Sequence, residues 1–247
     1  MNRFMTLHER RGSLVKSYSN YLFDLYGTLV DIHTDEGKDE LWFKMSVLLS
    51  MDGIHIPPKQ LRTRYLKTVS LLEKTAQLER GTGAEIDIAE VFASWYDCAS
   101  TDARVARAAK TFRLLSLEKL KLFPGVIKLL KKLKYNGKKI YLLSNAQELF
   151  TMPELRVLGL EEYFDGILIS SIEGHKKPDR RFYDLVLSRY HLHPKETVMV
   201  GNDDQADCWG AAKAGLDSMY ICTEQSPKRT TPLPPNCIVL KRISQVY

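Results

Sequence analysis

The apolar positions of the chain change period twice. Tyr21-Leu22-Phe23 is a short unbroken apolar run that stops at Asp24 and the turn residue Gly27, the pattern of a buried strand. From about residue 33 to 118 the apolar residues recur at helical spacing instead. Leu41, Met45, Leu48 and Leu49 make one stripe, and Leu61, Tyr65, Val69 and Leu72 a second, behind Pro57-Pro58. Ile88, Val91, Phe92 and Trp95 make a third, and Val105, Phe112 and Leu115 suggest a fourth. This stretch reads as an inserted helical bundle with no strand in it, and Trp42, Phe92, Trp95 and Tyr96 are expected in its core.

From Phe123 onward strands and helices alternate. Pro124 opens a helix that carries Val126, Leu129, Leu130 and Leu133 and closes at Gly137. Strands follow at Lys139–Leu143, Gly166–Ser170, Thr197–Val200 and Ser218–Cys222, with a further one near Ile238–Ile243. Helices are expected near 153–159, after Pro178 and at about 206–214. Strands alternating with helices through short connections imply an α/β fold, a doubly wound, Rossmann-like parallel sheet covered on both faces. The expected organisation is a leader over 1–18, a discontinuous α/β core over 19–32 and 119–247, and a helical domain over 33–118.

Charge and cysteines narrow the function classes. The net charge of +6 sits at the two ends: residues 1–18 and 224–247 each carry a net +3, leaving a neutral body. Basic ends around a neutral body argue against a nucleic-acid surface. No apolar run approaches the length of a membrane span, and the basic N-terminal segment lacks the apolar core of a secretory signal. Cys98, Cys208, Cys222 and Cys237 are scattered, without C-x-x-C or zinc spacing. A cytoplasmic protein with reduced cysteines and no membrane or nucleic-acid partner is expected.

Four polar clusters fall just after four expected strands: Asp24, Ser144, Lys177 and the acidic group Asp203, Asp204 and Asp207. In a doubly wound sheet the carboxyl ends of strands share one crevice. A carboxylate there can act as a nucleophile. A lysine and a hydroxyl can stabilise charge on the transferring group, and a hard cation can be held by the remaining oxygens. Such a set suits attack on electrophilic phosphorus or carbon.

The same residues resemble the four motifs of the haloacid dehalogenase-like hydrolases. YLFDLYGTL (Tyr21–Leu29) is similar to the first motif, Leu142-Leu143-Ser144-Asn145 to the second, Lys177-Pro178-Asp179 with Phe182 to the third, and VGNDDQADCWGAAKAG (Val200–Gly215) to the fourth. The helical insert is similar to the cap that many members carry after the first strand. The resemblance implies that Asp24 is the nucleophile, that Ser144 binds a phosphate oxygen and that Lys177, with Lys176 as its neighbour and competitor, bridges Asp24 and the phosphoryl group. Gly27 and Thr28 would shape the loop beside the substrate, with Tyr26 and Asn145. Asp24, the Tyr26 carbonyl, Asp203 and Asp207 would hold Mg2+. The implied activity is hydrolysis of a small phosphorylated metabolite through an aspartyl-phosphate.

Two positions depart from the family's phosphatase pattern. Tyr26 stands where a second aspartate usually serves as acid and base, and Asn202 follows Gly201 where the fourth motif often has aspartate. D-x-Y-G-T also occurs in family members that cleave carbon–halogen bonds. A 2-haloacid dehalogenase, or a member that binds a phosphate ligand without turning it over, therefore stands beside the phosphatase.

Overall fold

A computed structural model describes residues 16–229 and 231–247, so most of the expected leader over 1–18 lies outside the described residues. Its last residue does not behave as a leader. Tyr18 is buried, meets Tyr21 edge-on and donates its hydroxyl to Asp217 at 2.9 Å.

The chain opens with β1 (Asn20–Phe23), β2 (Val30–Thr34) and helices α1 (Asp39–Met51), α2 (Pro58–Arg80), α3 (Ile88–Tyr96) and α4 (Ala103–Ser116). It continues through β3 (Leu117–Leu122), α5 (Val126–Tyr135), β4 (Lys139–Ser144), α6 (Glu148–Val157), β5 (Gly166–Ile169), α7 (Ser170–Glu173) and α8 (Arg180–Arg189). Then come β6 (Thr197–Gly201), a wide helical turn (Asp204–Trp209), α9 (Gly210–Lys213), β7 (Asp217–Ile221) and β8 (Cys237–Leu240). Six strands form one parallel sheet in the order β5-β4-β1-β6-β7-β8. A strand covered on both faces reads as continuous apolar sequence, and β1 and β6 are buried along their whole length. The α/β fold expected from the alternation is present.

The insert is helical, as its periodicity implies, and has its own core. Trp42, Tyr65, Phe92, Trp95 and Phe112 meet with ring centroids 4.8–6.3 Å apart, and Tyr96 is buried with them. Among the described residues no helix is long and apolar enough to cross a membrane.

Two local readings change. The stretch assigned wholly to helix is bracketed by strands: β2 pairs antiparallel with β3, Val30 opposite Leu122 and Ile32 opposite Leu120. This ribbon joins the sheet domain to the helices, and its alternation of apolar and polar residues marks a half-buried strand pair. Helix α6 starts at Glu148, five residues before Pro153, which it carries inside. A proline there removes a backbone hydrogen bond. Packing of Phe150 and Leu155, with the Ser171 hydroxyl accepting from the Glu148 N–H at 2.9 Å, outweighs that loss.

Candidate active site

β1 ends in the middle of the sheet, so the next residue projects from its carboxyl edge. Asp24 is held there by its N–H donating to the Val200 carbonyl at 2.9 Å, which continues the ladder by one residue. The residue is 8% exposed. One carboxylate oxygen accepts from the Thr28 hydroxyl at 3.0 Å, the other from the Lys177 ammonium at 2.8 Å.

Thr28 reaches back because the chain reverses at Gly27, whose φ of +82° favours glycine. Space demands glycine too: a Cβ at Gly27 would lie 2.2 Å from the Asn202 amide nitrogen. Asn202 is itself buried, its amide oxygen 3.2 Å from the Thr28 hydroxyl. The first and fourth motifs thus pack directly on each other.

Lys177 is 3% exposed and also donates to Asp207 at 2.7 Å. Burial alone would lower the ammonium's pKa, but Asp207 and Asp24 outweigh it and the pKa is raised. Burial drives the Asp207 carboxyl upward, opposed by Lys177 and reinforced by Asp24. Lys176 points elsewhere, 3.5 Å from Glu85, so the geometry separates the two neighbouring lysines.

Asn145 acts through Lys177. Its amide donates to the Lys177 carbonyl and accepts from the Lys177 N–H, both at 2.8 Å. Both ends of a side chain expected to face substrate are therefore engaged in fixing the lysine's backbone. Ser144 is 1% exposed, and among the described residues its hydroxyl has no partner. A buried hydroxyl left in that state loses free energy unless a ligand or water meets it.

In the acidic loop the three aspartates have separate surroundings. The Asp203 carboxylate caps the helical turn, one oxygen accepting from the N–H groups of Gln205 and Ala206 at 2.8 Å each. Its second oxygen is the one left for other partners. Asp204 is buried and accepts from the Gln205 side chain at 2.9 Å. Asp207 packs against Gly201, where a Cβ would lie 2.1 Å from its carboxylate. Asp24, Tyr26, Lys177, Asp203 and Asp207 line one cavity of about 210 Å3.

Three contributors were not evident in the sequence. Tyr183 is fully buried and donates to the Ala206 carbonyl at 2.7 Å, bolting the acidic loop to α8. Glu154 of α6 accepts from the Tyr26 hydroxyl at 2.5 Å and from Arg113 of α4 at 2.6 Å. Burial, and then the charge of Glu154, raise the Tyr26 phenol well above its usual range. Tyr26 is thus a protonated donor committed to Glu154, with Thr151 3.1 Å away, and the trio ties the helical unit to the sheet domain. The Tyr183 contact spans 23 residues of sequence and the others more than 40, so no local pattern announces them.

A family model for haloacid dehalogenase-like hydrolases matches residues 18–215, which hold all four motifs and the helical insert. The chain belongs to that family. This haloacid dehalogenase-like hydrolase is 29% identical to a glyceraldehyde 3-phosphate phosphatase of Methanothermobacter thermautotrophicus, over 49% of this chain and 53% of the relative. Three such phosphatase relatives are matched over only about half of their length or less. It is 28% identical to (S)-2-haloacid dehalogenase 4A of Burkholderia cepacia over 87% of each chain. Among solved structures, a 2-haloacid dehalogenase of Pseudomonas syringae pv. Tomato DC3000 superposes with a TM-score of 0.62 at 19% identity, covering 93% of this chain and 96% of the other. At that identity the superposition speaks to the fold alone.

Proposed function

We propose that this hydrolase is a magnesium-dependent phosphatase acting on a small phosphorylated metabolite, with Asp24 as nucleophile and the helical insert as a cap over the site. The observation that carries this reading is the buried cluster of Asp24, Lys177 and Asp207, with the unpartnered hydroxyl of Ser144 at the end of β4, the strand next to β1. The similarity to phosphatase relatives supports it.

The donor set fits magnesium. Among the described residues no three His, Cys, Asp or Glu side chains are grouped to hold a metal by themselves. Magnesium commonly takes one or two carboxylates, keeps several waters and uses the substrate phosphate, all as hard oxygens. Asp24 and Asp207 would supply the carboxylates and the Tyr26 carbonyl a third oxygen; no protein donor reaches that carbonyl among the described residues. Asp203 would contribute through the oxygen its capping bonds leave over. When bound, the ion supplies the positive charge that lets a phosphate dianion approach two carboxylates.

Lys177 neutralises part of the repulsion and fixes the attacking oxygen of Asp24. Asp24 attacks phosphorus, and the bond from phosphorus to the leaving oxygen breaks. Water then attacks the aspartyl-phosphate at phosphorus, releasing inorganic phosphate and returning the Asp24 carboxylate. Ser144 donates to a phosphoryl oxygen. The leaving oxygen needs a proton, which Tyr26, committed to Glu154, does not deliver. Leaving groups that require little protonation should therefore react fastest.

A second reading has its own support. Tyr26 and Asn202 are both neutral where phosphatases of the family carry aspartates, and the likeness to the Burkholderia dehalogenase spans the chain. A 2-haloacid needs neither a protonated leaving group nor metal. Phosphate and halide release are measured on phosphorylated metabolites and 2-haloacids, with and without Mg2+, for wild type and Asp24→Asn. Magnesium-dependent phosphate release, falling below about 1% in Asp24→Asn, is the expected result. Halide release without metal would replace the phosphatase by the dehalogenase.

A further inference from the structure

A second cavity, of about 360 Å3, shares Tyr26 and Asn145 with the nucleophile's cavity and runs between the sheet domain and the helical insert. If a phosphate lies at Asp24, the rest of its substrate enters this space. Its walls look polar, yet most of that polarity is already engaged. Asn145 is bonded at both ends to Lys177. Gln147 accepts from the Ile88 N–H at 2.8 Å and donates to the Ile86 carbonyl at 3.1 Å. The Arg113 guanidinium is held by Glu154, and the Tyr26 hydroxyl donates to Glu154 with the Thr151 hydroxyl 3.1 Å from it.

Glu36 is different. It sits in the turn between β2 and α1, its carbonyl fixed by the Trp42 indole N–H at 2.9 Å. Its carboxylate is half-buried in the cavity wall, and among the described residues its one hydrogen-bond partner is the Tyr65 hydroxyl at 3.5 Å. Among the described residues no cation pairs with it. Burial raises its carboxyl pKa, opposed by the charge of Arg113, which is itself bonded to Glu154. With Arg113 and Glu154 cancelling, Glu36 leaves this end of the cavity with a net charge of −1.

We propose that Glu36 is a specificity-determining residue that receives a primary ammonium group, so that the preferred substrates are small aminoalkyl phosphates. The inference rests on the phosphatase reading, because that reading places the phosphoryl end at Asp24. A polyhydroxylated substrate is disfavoured by the same observation. Several hydroxyls would have to be matched by a wall whose amides, guanidinium and inner hydroxyls are already bonded, and leaving a polar group unmet on burial is costly. One ammonium needs one carboxylate, with the Tyr65 hydroxyl and ring beside it.

The test uses a matched pair of non-hydrolysable ligands, 2-aminoethylphosphonate and propylphosphonate, titrated calorimetrically into the full chain with Mg2+. A hydrogen-bonded charge pair in a half-buried site should favour the amine by about tenfold or more. In Glu36→Gln, which keeps size and hydrogen bonding but not charge, the ratio should fall to near one; thermal melting of the variant checks that it folds. Equal binding of both ligands by wild type, or a preference that survives Glu36→Gln, would overturn the role of Glu36 while leaving the phosphoryl site intact. If neither phosphonate binds, the phosphatase reading and this inference fall together.

Discussion

Replacing Lys177 by methionine tests the centre of the site without altering its volume much. The lysine places one buried ammonium 2.8 Å from Asp24 and 2.7 Å from Asp207. Two oxygens that share one nitrogen at these distances lie within about 5.5 Å of each other. At an effective dielectric constant of ~20 their repulsion is about 3 kcal/mol once the cation is gone. Breaking a buried charge cluster by removing one partner typically costs about 3–5 kcal/mol, and that is the destabilisation expected near neutral pH. For a chain of this size it corresponds to a fall in melting temperature of roughly 10 °C.

The pH dependence identifies the cause. Without Lys177 the buried Asp207 carboxyl loses the cation that opposes its upward shift, so it binds a proton more tightly in the folded state than in the unfolded chain and folding takes up a proton. Stability of Lys177→Met should then rise, relative to wild type, as pH falls toward the ordinary carboxylate range, and be lowest above it. Melts recorded by circular dichroism at several pH values measure this, and Lys177→Met combined with Asp207→Asn should recover part of the loss at neutral pH. Lys176→Ala, which removes only a contact to Glu85 at 3.5 Å, should stay within about 0.5 kcal/mol of wild type. A Lys177→Met protein as stable as wild type at neutral pH, or one whose deficit is unchanged on acidification, would refute the charge argument.

Three further outcomes are expected. Asp207→Asn should abolish magnesium binding by calorimetry, whereas Asp203→Asn, an equally good cap that loses one metal oxygen, should melt like wild type and only weaken binding; the opposite ranking would make Asp203 the principal carboxylate ligand. Asn145→Ala removes two hydrogen bonds from the Lys177 backbone, so turnover should fall at least tenfold with a stability loss of about 1–3 kcal/mol; unchanged turnover would mean that the lysine holds its place unaided. Tyr26→Asp should accelerate hydrolysis of alkyl phosphates relative to aryl phosphates, since acid–base assistance is typically worth about 10²–10⁴-fold; a variant slower on alkyl esters would show that another group or the substrate supplies the proton.

How much of this was legible depends on sequence distance. Asp24 and Ser144 stand at or just beyond the end of a strand whose apolar run is visible locally, Lys177 follows the short α7 after β5, Asp207 sits in the helical turn after β6, and topology does the rest by bringing those connections together. The choice of Lys177 over Lys176 also follows from local structure once Asn145 clamps its backbone. The ribbon β2–β3 is hard to read from the sequence although Val30, Ile32 and Thr34 alternate, because the two strands lie more than 80 residues apart with four helices between them. Glu36, Arg113 and Glu154 carry no motif at all. Their significance is that three separate segments meet over one cavity, which only the tertiary arrangement creates.

The two departures from the family's phosphatase pattern have one electrostatic consequence. With Tyr26 and Asn202 in place, the innermost cluster of Asp24, Asp207 and Lys177 carries a net charge of −1. Aspartate at both positions would take it to −3, a site that demands a divalent cation simply to hold its own charges together. As it stands, the lysine alone nearly balances the pocket, and Asp207 makes its close approach to Gly201 with Lys177 as its cation. A bound phosphate dianion would return the total to −3, so the need for magnesium should arise mainly when substrate is present. Magnesium affinity should accordingly rise when inorganic phosphate or a phosphonate is added, and phosphate affinity should rise with magnesium by the same factor, because linkage is reciprocal. Calorimetric titration of each in the presence and absence of the other measures both factors. Tight magnesium binding to the free protein, unchanged by phosphate, would show that the ion belongs to the resting site, and that the neutral residues at positions 26 and 202 do not set the timing of its binding.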